Sequence, residues 1–423
     1  MIENQRNWAG NYKYSAARLH RPETVEQIRE LVSRCGKLKV LGTRHSFNGI
    51  ADSPEDLVSL ERFDQVVALD RERRTVTVEA GVKYGQLCRY LGREGYALHN
   101  LASLPHISVA GACATATHGS GDGNGNLATA VAAMEMVTAD GEVVVLSREQ
   151  HGEQFQGAVV GLGGLGVVTK LTLDVSPAFD MRQDVYENLP LSQLEDHFED
   201  IVSSAYSVSL FTDWRDARFN QVWFKRRVTD GASFELEPGL FGATLAPGHR
   251  HPIASLSAEN CTEQMGVRGP WHERLPHFRM DYMPSSGEEL QTEYIVPRQH
   301  AFVAFRALDQ LREHMAPLLQ ISEVRTIAAD NLWMSPCYKQ ACASIHFTWK
   351  KDWHSVRKLL PMLEEQLAPL SARPHWGKLF TMPPSRLQSL YEKLPDFQQL
   401  LRHYDPKGKF RNMCLDTYIV GAH

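Results

Sequence analysis

The chain has no apolar run long enough to cross a bilayer, no CxxC pair and no block of basic residues. A membrane span needs about 20 predominantly apolar residues, so none is expected. The opening residues, Met1-Ile2-Glu3-Asn4-Gln5-Arg6-Asn7-Trp8, lack the apolar centre of a signal peptide. The seven cysteines (Cys35, Cys88, Cys113, Cys261, Cys337, Cys342, Cys414) are odd in number and scattered, which argues against a disulfide framework or a zinc ribbon. Cytoplasm is the expected compartment. Lys and Arg number 45 against 50 Asp and Glu, a net charge of −5, so bulk charge gives no footprint for nucleic acid or an anionic membrane. Internal repeats and low-complexity tracts are also missing. Asn260-Cys261-Thr262 fits a glycosylation sequon, but without a secretion signal it carries no weight.

What is present is an ordinary globular composition, 43% hydrophobic and 22% charged over 423 residues, enough for two or three domains. After Pro22-Glu23-Thr24, the apolar stripe Val25, Ile28, Leu31, Val32 has helical spacing, with Thr24 and Gln27 as a capping box and Gly36 as the stop. The strand Leu38 to Leu41 follows and runs into Gly42-Thr43-Arg44-His45-Ser46-Phe47-Asn48. Successive N–H groups in such a turn make a nest suited to a phosphate, and Gly42 lets backbone approach a ligand. The same residues also fit a plain strand-to-helix turn whose His bonds only its neighbours. Hairpins are predicted for Val66–Leu69 with Thr75–Glu79 and for Met134–Val137 with Glu142–Leu146, the second turning at Asp140-Gly141. A helix carrying Leu87, Tyr90 and Leu91 lies between them. The N-terminal part thus reads as mixed α+β with several antiparallel pairs, not a run of βαβ units.

The small-residue stretch Ser103 to Asn126 cannot build a core by bulk, yet Leu101 to Thr117 is too apolar for a solvated linker. A buried, ligand-lining segment is expected there. Gly161-Leu162-Gly163-Gly164-Leu165-Gly166 matches GxGxxG, but the β-branched, alternating Val167 to Val175 follows where a dinucleotide fingerprint needs a helix. These glycines are expected to form a tight turn before a strand. From about residue 180 aromatics become richer, with a strand at Tyr206–Phe211 and helices at Phe302–Met315 and Val356–Leu367. His249 and His251 sit among Pro247, Gly248 and Pro252, which suggests an exposed loop and no metal.

Three separated stretches, the Gly42–Asn48 turn, the Ser103–Gly121 segment and the tail Asp405-Pro406-Lys407-Gly408-Lys409-Phe410, together resemble the vanillyl-alcohol-oxidase-type flavoproteins. Within that group the chain is most similar to the alditol (xylitol) oxidases, through Asn7-Trp8-Ala9-Gly10-Asn11-Tyr12, Leu41 to Phe47, Leu101 to Gly111, Glu323-Val324-Arg325, His346-Phe347-Thr348 and His375-Trp376-Gly377-Lys378. The resemblance implies an α+β fold of the PCMH/VAO type. Its FAD-binding domain would span 1–178, a mixed α+β substrate (cap) domain 179–378, and a C-terminal segment, 379–423, would return to the FAD domain. It also implies FAD bonded covalently through His45. Further flavin contacts are expected from Leu41, Gly42, Thr43, Arg44, Ser46, Phe47, Ser103, Ser108, Gly111, Thr115, His118 and Val168. Arg325 and Lys378 match the catalytic cations, and Ser103, Glu323, Arg325, His346, Thr348 and Lys378 the substrate contacts.

The implied activity is oxidation of a terminal hydroxyl of xylitol, sorbitol or a similar polyol, with O2 reduced to hydrogen peroxide. The alternative is an aldonolactone (L-gulonolactone-type) oxidase or dehydrogenase. Expected partners are the polyol and O2 alone, with the protein a monomer. Spacing adds its own observation: on strands, Glu323 and Arg325 share a face, as do His346 and Thr348. Solvent-facing alternation would look the same. Ala102, beside Ser103, is the place to look for control of oxygen access, and Trp376 is expected to pack.

Overall fold

A computed structural model describes residues 6–229, 237–282 and 288–421. Strand β1 (Arg18–His20), helix α1 (Val25–Arg34), β2 (Leu38–Leu41) and β3 (Asp56–Ser59) open the chain. Thr24 caps α1 by accepting from the Gln27 N–H, while the Gln27 side chain accepts from the Glu23 N–H. The three strands form a parallel sheet in the order β1-β3-β2, and of these the sequence predicts β2. Each strand-to-strand return is long enough for parallel pairing, one through α1 and the other through the Gly42–Glu55 loop.

Next come β4 (Val66–Asp70), β5 (Thr75–Glu79), helices α2 (Tyr84–Glu94) and α3 (Val109–Ala114), then β6 (Val131–Val137), β7 (Val143–Ser147) and β8 (Val167–Asp174). The strands make an antiparallel sheet, β4-β5-β8-β6-β7, that includes both expected hairpins. Val76, Val78, Met134, Met136, Leu171 and Leu173 bury one face against Leu87 and Leu91 of α2 and Val109 of α3. The GxGxxG glycines form the tight turn ahead of β8. Leu162 and Gly163 have positive φ, and Gly164 donates to the Gly161 carbonyl at 2.9 Å. Buried Lys39 of β2 donates to the Leu162 and Gly163 carbonyls at 3.1 and 3.0 Å, which ties that turn to the first sheet.

The second large sheet has ten strands. Six form its body: β9 (Asp180–Pro190), β10 (Ser207–Thr212), β11 (Arg218–Val228), β12 (Glu289–Pro297), β13 (Leu319–Ile327) and β14 (Cys342–Lys350). Their spatial order is β9-β11-β10-β13-β14-β12, antiparallel throughout. One face packs Val324, Ile345, Phe347 and Trp349 under helices α4 (Gln193–Ser203), α5 (Ala301–Asp309) and α6 (Trp353–Gln366). Burying each such side chain is worth about 1.5–3 kcal/mol, so strand register is strongly fixed. That register sends the alternate residues to the opposite face.

The helix expected over Phe302–Met315 is broken. α5 ends at Asp309 and a separate turn covers Arg312–Met315, where the Arg312 side chain bonds back to Asp309. The chain then returns to the first sheets. Helix α7 (Leu394–Tyr404) buries Phe397 and Leu401 in the same core as β6 and β8. The tail ends in helical turns, and Asn412 donates to the carbonyls of Gly49, Ile50 and Asp52.

Candidate active site

A cavity of about 1340 Å³ lies between the first sheets and the polar face of the ten-stranded sheet. Ordinary small-molecule sites span about 300–1,000 Å³, so this one can hold a large cofactor together with a second ligand. Each residue that the sequence suggested for cofactor or substrate contact lines it, from Leu41–Phe47 through Ser103, Ser108, Gly111, Thr115, His118 and Val168 to Glu323, Arg325, His346, Thr348 and Lys378. Ala102 lines it too.

At one end is the turn after β2. Arg44 takes a left-handed φ of 64°, and its carbonyl accepts from the Trp8 N–H at 2.8 Å. Asn7 donates to the Ser46 carbonyl, Asn11 to the Phe47 carbonyl, and the Phe47 N–H to the Gly377 carbonyl. Asn48 donates to the carbonyls of Trp376 and Lys378 at 2.8 Å each. The first motif is thereby fastened both to the N-terminal segment and to the His375–Lys378 run. Among the described residues no hydrogen-bond acceptor meets the backbone N–H groups of Thr43 to Ser46. A Cβ on Gly42 would stand 2.9 Å from Ser108 Oγ, and one on Gly111 2.8 Å from the same atom. Unpaired N–H groups in a cradle that a methyl group would crowd fit the phosphates of a dinucleotide. His45 stacks on Trp8 with ring centroids 5.3 Å apart, and burial lowers its pKa to about 4. The imidazole is therefore neutral near pH 7.

The opposite wall follows from register. Glu323 of β13 pairs directly with His346 of β14, and His346 pairs with Glu293 of β12. All three side chains, with those of Arg325 and Thr348, are buried, which rules out solvent-facing alternation. Arg325 Nη2 donates to Glu293 Oε1 at 3.2 Å, and its Nη1 donates to Ser103 Oγ and the His118 carbonyl at 3.4 Å. Arg325 Nε lies 3.4 Å from Glu323 Oε1. His346 Nε2 is 3.1 Å from Thr348 Oγ1, and Lys378 Nζ is 3.4 Å from His346 Nδ1 and 3.8 Å from Glu293 Oε2. Lys378 also donates to the Gln291 side chain.

Electrostatics follow from this crowding. Burial alone would raise the Glu293 pKa, but His118, His346 and Arg325 outweigh it and hold the carboxyl well below its usual range. Glu323 is likewise held down, with Arg325 and His277 overcoming burial. Burial lowers Lys378, Arg325 lowers it further, and Glu293 opposes. Burial also brings His346 to about 4 and His375 to about 3. The wall therefore offers ionised acceptors, cationic donors and neutral imidazoles within a few ångströms.

Several members escaped the sequence motifs. Glu289, Gln291 and Glu293 alternate along β12 and line the cavity, and their period of two was the available signal. His277 and Lys225, described below, carried none. His251 corrects an expectation: it is buried, lines the cavity, and its carbonyl accepts from Gln221 at 2.9 Å, so the surrounding Pro and Gly residues do not make the whole loop exposed. His249 remains exposed, 3.4 Å from Glu263. Trp376 packs in the core and donates to the Met334 carbonyl. Among the described residues, the group with metal-like spacing is His20, Cys35 and Asp56, where Arg18 already occupies both Asp56 oxygens. No helix among the described residues is long and apolar enough to cross a membrane.

Comparison with known proteins agrees with this geometry. The pattern of the FAD binding domain family matches residues 16–147, and that of D-arabinono-1,4-lactone oxidase matches residues 280–418. An alditol oxidase from a Streptomyces species is 48% identical over 418 residues, covering 98% of this chain and 99% of the relative. An L-gulonolactone oxidase from Scyliorhinus torazame is 26% identical over 451 residues, 97% of each chain. Cholesterol oxidase from B. sterolicum superposes with a TM-score of 0.76 over 99% of this chain and 96% of its own, at 13% identity, and so shares the fold.

Proposed function

The chain belongs to the alditol oxidases, FAD enzymes of the vanillyl-alcohol-oxidase fold, and on that premise we propose that it oxidises the terminal hydroxyl of sugar alcohols such as xylitol or sorbitol. The observation that carries this is the strand register placing Glu293, Glu323, Arg325, His346 and Thr348 on one buried wall, across the cavity from the Gly42–Ser46 turn. When bound, FAD supplies the acceptor for the hydride leaving the carbinol carbon and hands the electrons to O2, giving hydrogen peroxide. The nest of Thr43–Ser46 N–H groups would hold its phosphates. Neutral His45, backed by Trp8 and with Nδ1 3.1 Å from Thr43 Oγ1, is the residue that would anchor the flavin covalently.

Arg325 and Lys378 stand where a reacting hydroxyl oxygen gains charge, and fixed cations in a water-poor site stabilise such charge strongly. Burial shifts Lys378 toward its neutral amine, and in that form it would take the hydroxyl proton and become the cation beside the oxygen. Ser103, Glu323, His346 and Thr348 form a ladder of donors and acceptors for the remaining hydroxyls. Residues 1–178 and 379–423 are assigned to the cofactor domain and 179–378 to the substrate domain. The protein acts as a cytoplasmic monomer in this proposal.

Mixing the purified yellow protein with xylitol or sorbitol without oxygen should bleach the flavin, and admitting air should restore colour with release of peroxide. No bleaching with any polyol, together with bleaching by an aldonolactone, would instead favour the lactone oxidases that match the chain's second half. Acid denaturation tests the anchor separately: the precipitate should stay yellow and fluorescent, and His45→Ala should release free flavin.

A further inference from the structure

Beside Glu323, and reaching from His277 on the cavity wall to Lys225 in the core, lies a buried chain of polar groups that the motifs do not include. Lys225 of β11 is fully buried and donates to the Leu275 and Pro276 carbonyls at 2.6 and 3.0 Å. Its Nζ also lies 3.1 Å from His277 Nδ1, and His277 Nε2 lies 2.7 Å from Glu323 Oε1. Phe211 and Trp223 meet the His277 ring edge-on at centroid distances of 5.5 and 5.2 Å, which fixes its plane. We propose that Lys225 and His277 are a positioning pair that sets the His277 tautomer and thereby holds Glu323 as an ionised acceptor aimed at the substrate hydroxyls.

The chemistry is directional. An ammonium has three hydrogens to donate and no lone pair to accept with. Two of the Lys225 hydrogens go to carbonyls, so the third meets His277 Nδ1 as a donor and excludes a proton from that nitrogen. A neutral His277 then carries its hydrogen on Nε2, where it donates to the Glu323 carboxylate. The opposite tautomer would set two lone pairs against each other at 2.7 Å. Neutral side-chain donors could satisfy the two carbonyls at a lower desolvation cost than a buried lysine. What lysine adds is the third donor. Burial lowers His277 to about 4, so its imidazole is neutral near pH 7, while the two carbonyls that accept from Lys225 favour its ammonium form. The inference rests on Glu323 binding substrate, as proposed above.

Three flavin-loaded variants test it by steady-state kinetics: Lys225→Met, His277→Gln and Glu323→Gln. Losing a hydrogen bond to a charged group corresponds to about 10- to 100-fold, so Lys225→Met should raise the polyol KM by about that factor with kcat nearly unchanged. His277→Gln keeps an N–H toward Glu323, so adding Lys225→Met to it should have little further effect. Unchanged KM in Lys225→Met, with Glu323→Gln impaired, overturns the pair and leaves the polyol site standing. Unchanged KM in Glu323→Gln overturns the polyol site itself. Nitrogen-15 NMR of histidine-labelled unmodified holoenzyme decides the tautomer without any variant. A hydrogen on Nε2 alone supports the pair, and one on Nδ1 overturns it.

Discussion

Glu293 Oε1 stands 2.9 Å from His118 Nε2, both side chains almost completely buried, where the small-residue segment meets the ten-stranded sheet. His118 Nδ1 faces the Gly119 carbonyl at 2.9 Å, so one ring nitrogen is held by backbone while the other lies beside the carboxylate. Arg325, His346 and Lys378 surround the same carboxylate. Glu293 thus neutralises the cations that the site needs and joins the two halves of the cavity. Glu293→Gln leaves those charges facing each other. Removing one partner of a buried pair costs about 3–5 kcal/mol, so the denaturant midpoint should fall sharply and polyol turnover with it. An unchanged midpoint would mean that the carboxylate is not the hub of the wall.

Lys378→Met tests the cation nearest the proposed reacting oxygen. Lys378 belongs to the polar wall, while the N–H groups of the first motif belong to the cofactor end, so flavin content should survive the substitution. Loss of a preorganised electrostatic stabiliser typically lowers kcat by about 10²–10³. The rate of anaerobic flavin bleaching measures that loss directly. Bleaching at the normal rate would remove Lys378 from the chemical step.

Gly42→Val probes the cradle by volume. Even a single Cβ there would stand 2.9 Å from Ser108 Oγ, and a valine carries two more methyl groups. Flavin occupancy of the purified protein should drop well below that of the unmodified chain. Ser108→Gly removes the crowding oxygen and should restore part of it in the double variant. Full occupancy in Gly42→Val alone would show that no ligand approaches this backbone closely.

The parts of the site that the sequence made legible were local in character. Glu323 with Arg325 and His346 with Thr348 could be placed on shared faces because strand periodicity is fixed within a few residues. The turn at Gly42 could be read from one glycine and the donors after it. What could not be read was adjacency. That β14 lies between β13 and β12, bringing Glu293 beside His346, depends on how Phe347, Trp349 and Val324 pack against helices far away in sequence. Lys225 sits in Trp223-Phe224-Lys225-Arg226-Arg227, where a lysine ordinarily reaches solvent. Only the tertiary fold shows it capped by two carbonyls and a histidine. His251 misled for a related reason, since the neighbouring Pro and Gly residues report turns but say nothing of what Gln221 captures. The GxGxxG stretch was legible as a turn from the strand after it, yet its anchoring by Lys39 joins residues far apart in sequence.

The buried histidines also fix how stability should depend on pH. His277 and His346 are lowered to about 4 and His375 to about 3, against an ordinary value of 6.5, with burial the leading cause in each. In the unfolded chain these rings take up protons as pH falls through 6.5, while in the folded protein they stay neutral until about 4. The unfolded state therefore binds more protons across that window, so the stability of the fold falls as pH drops from about 6.5 toward 4. Lys225, at about 7, is protonated in both states over most of the window and adds little slope. Glu293 and Glu323, held below the ordinary 4.5, add their own loss only at more acidic pH. The melting temperature should accordingly start to fall below about pH 6.5, before the carboxylates titrate, and fall faster below about 4.5. His375→Asn removes one of the three rings and should make the upper part of that decline shallower. A melting temperature that stayed level from pH 7 to 4.5 would mean that these imidazoles can be protonated in the folded state, and that the wall is wetter than its packing indicates.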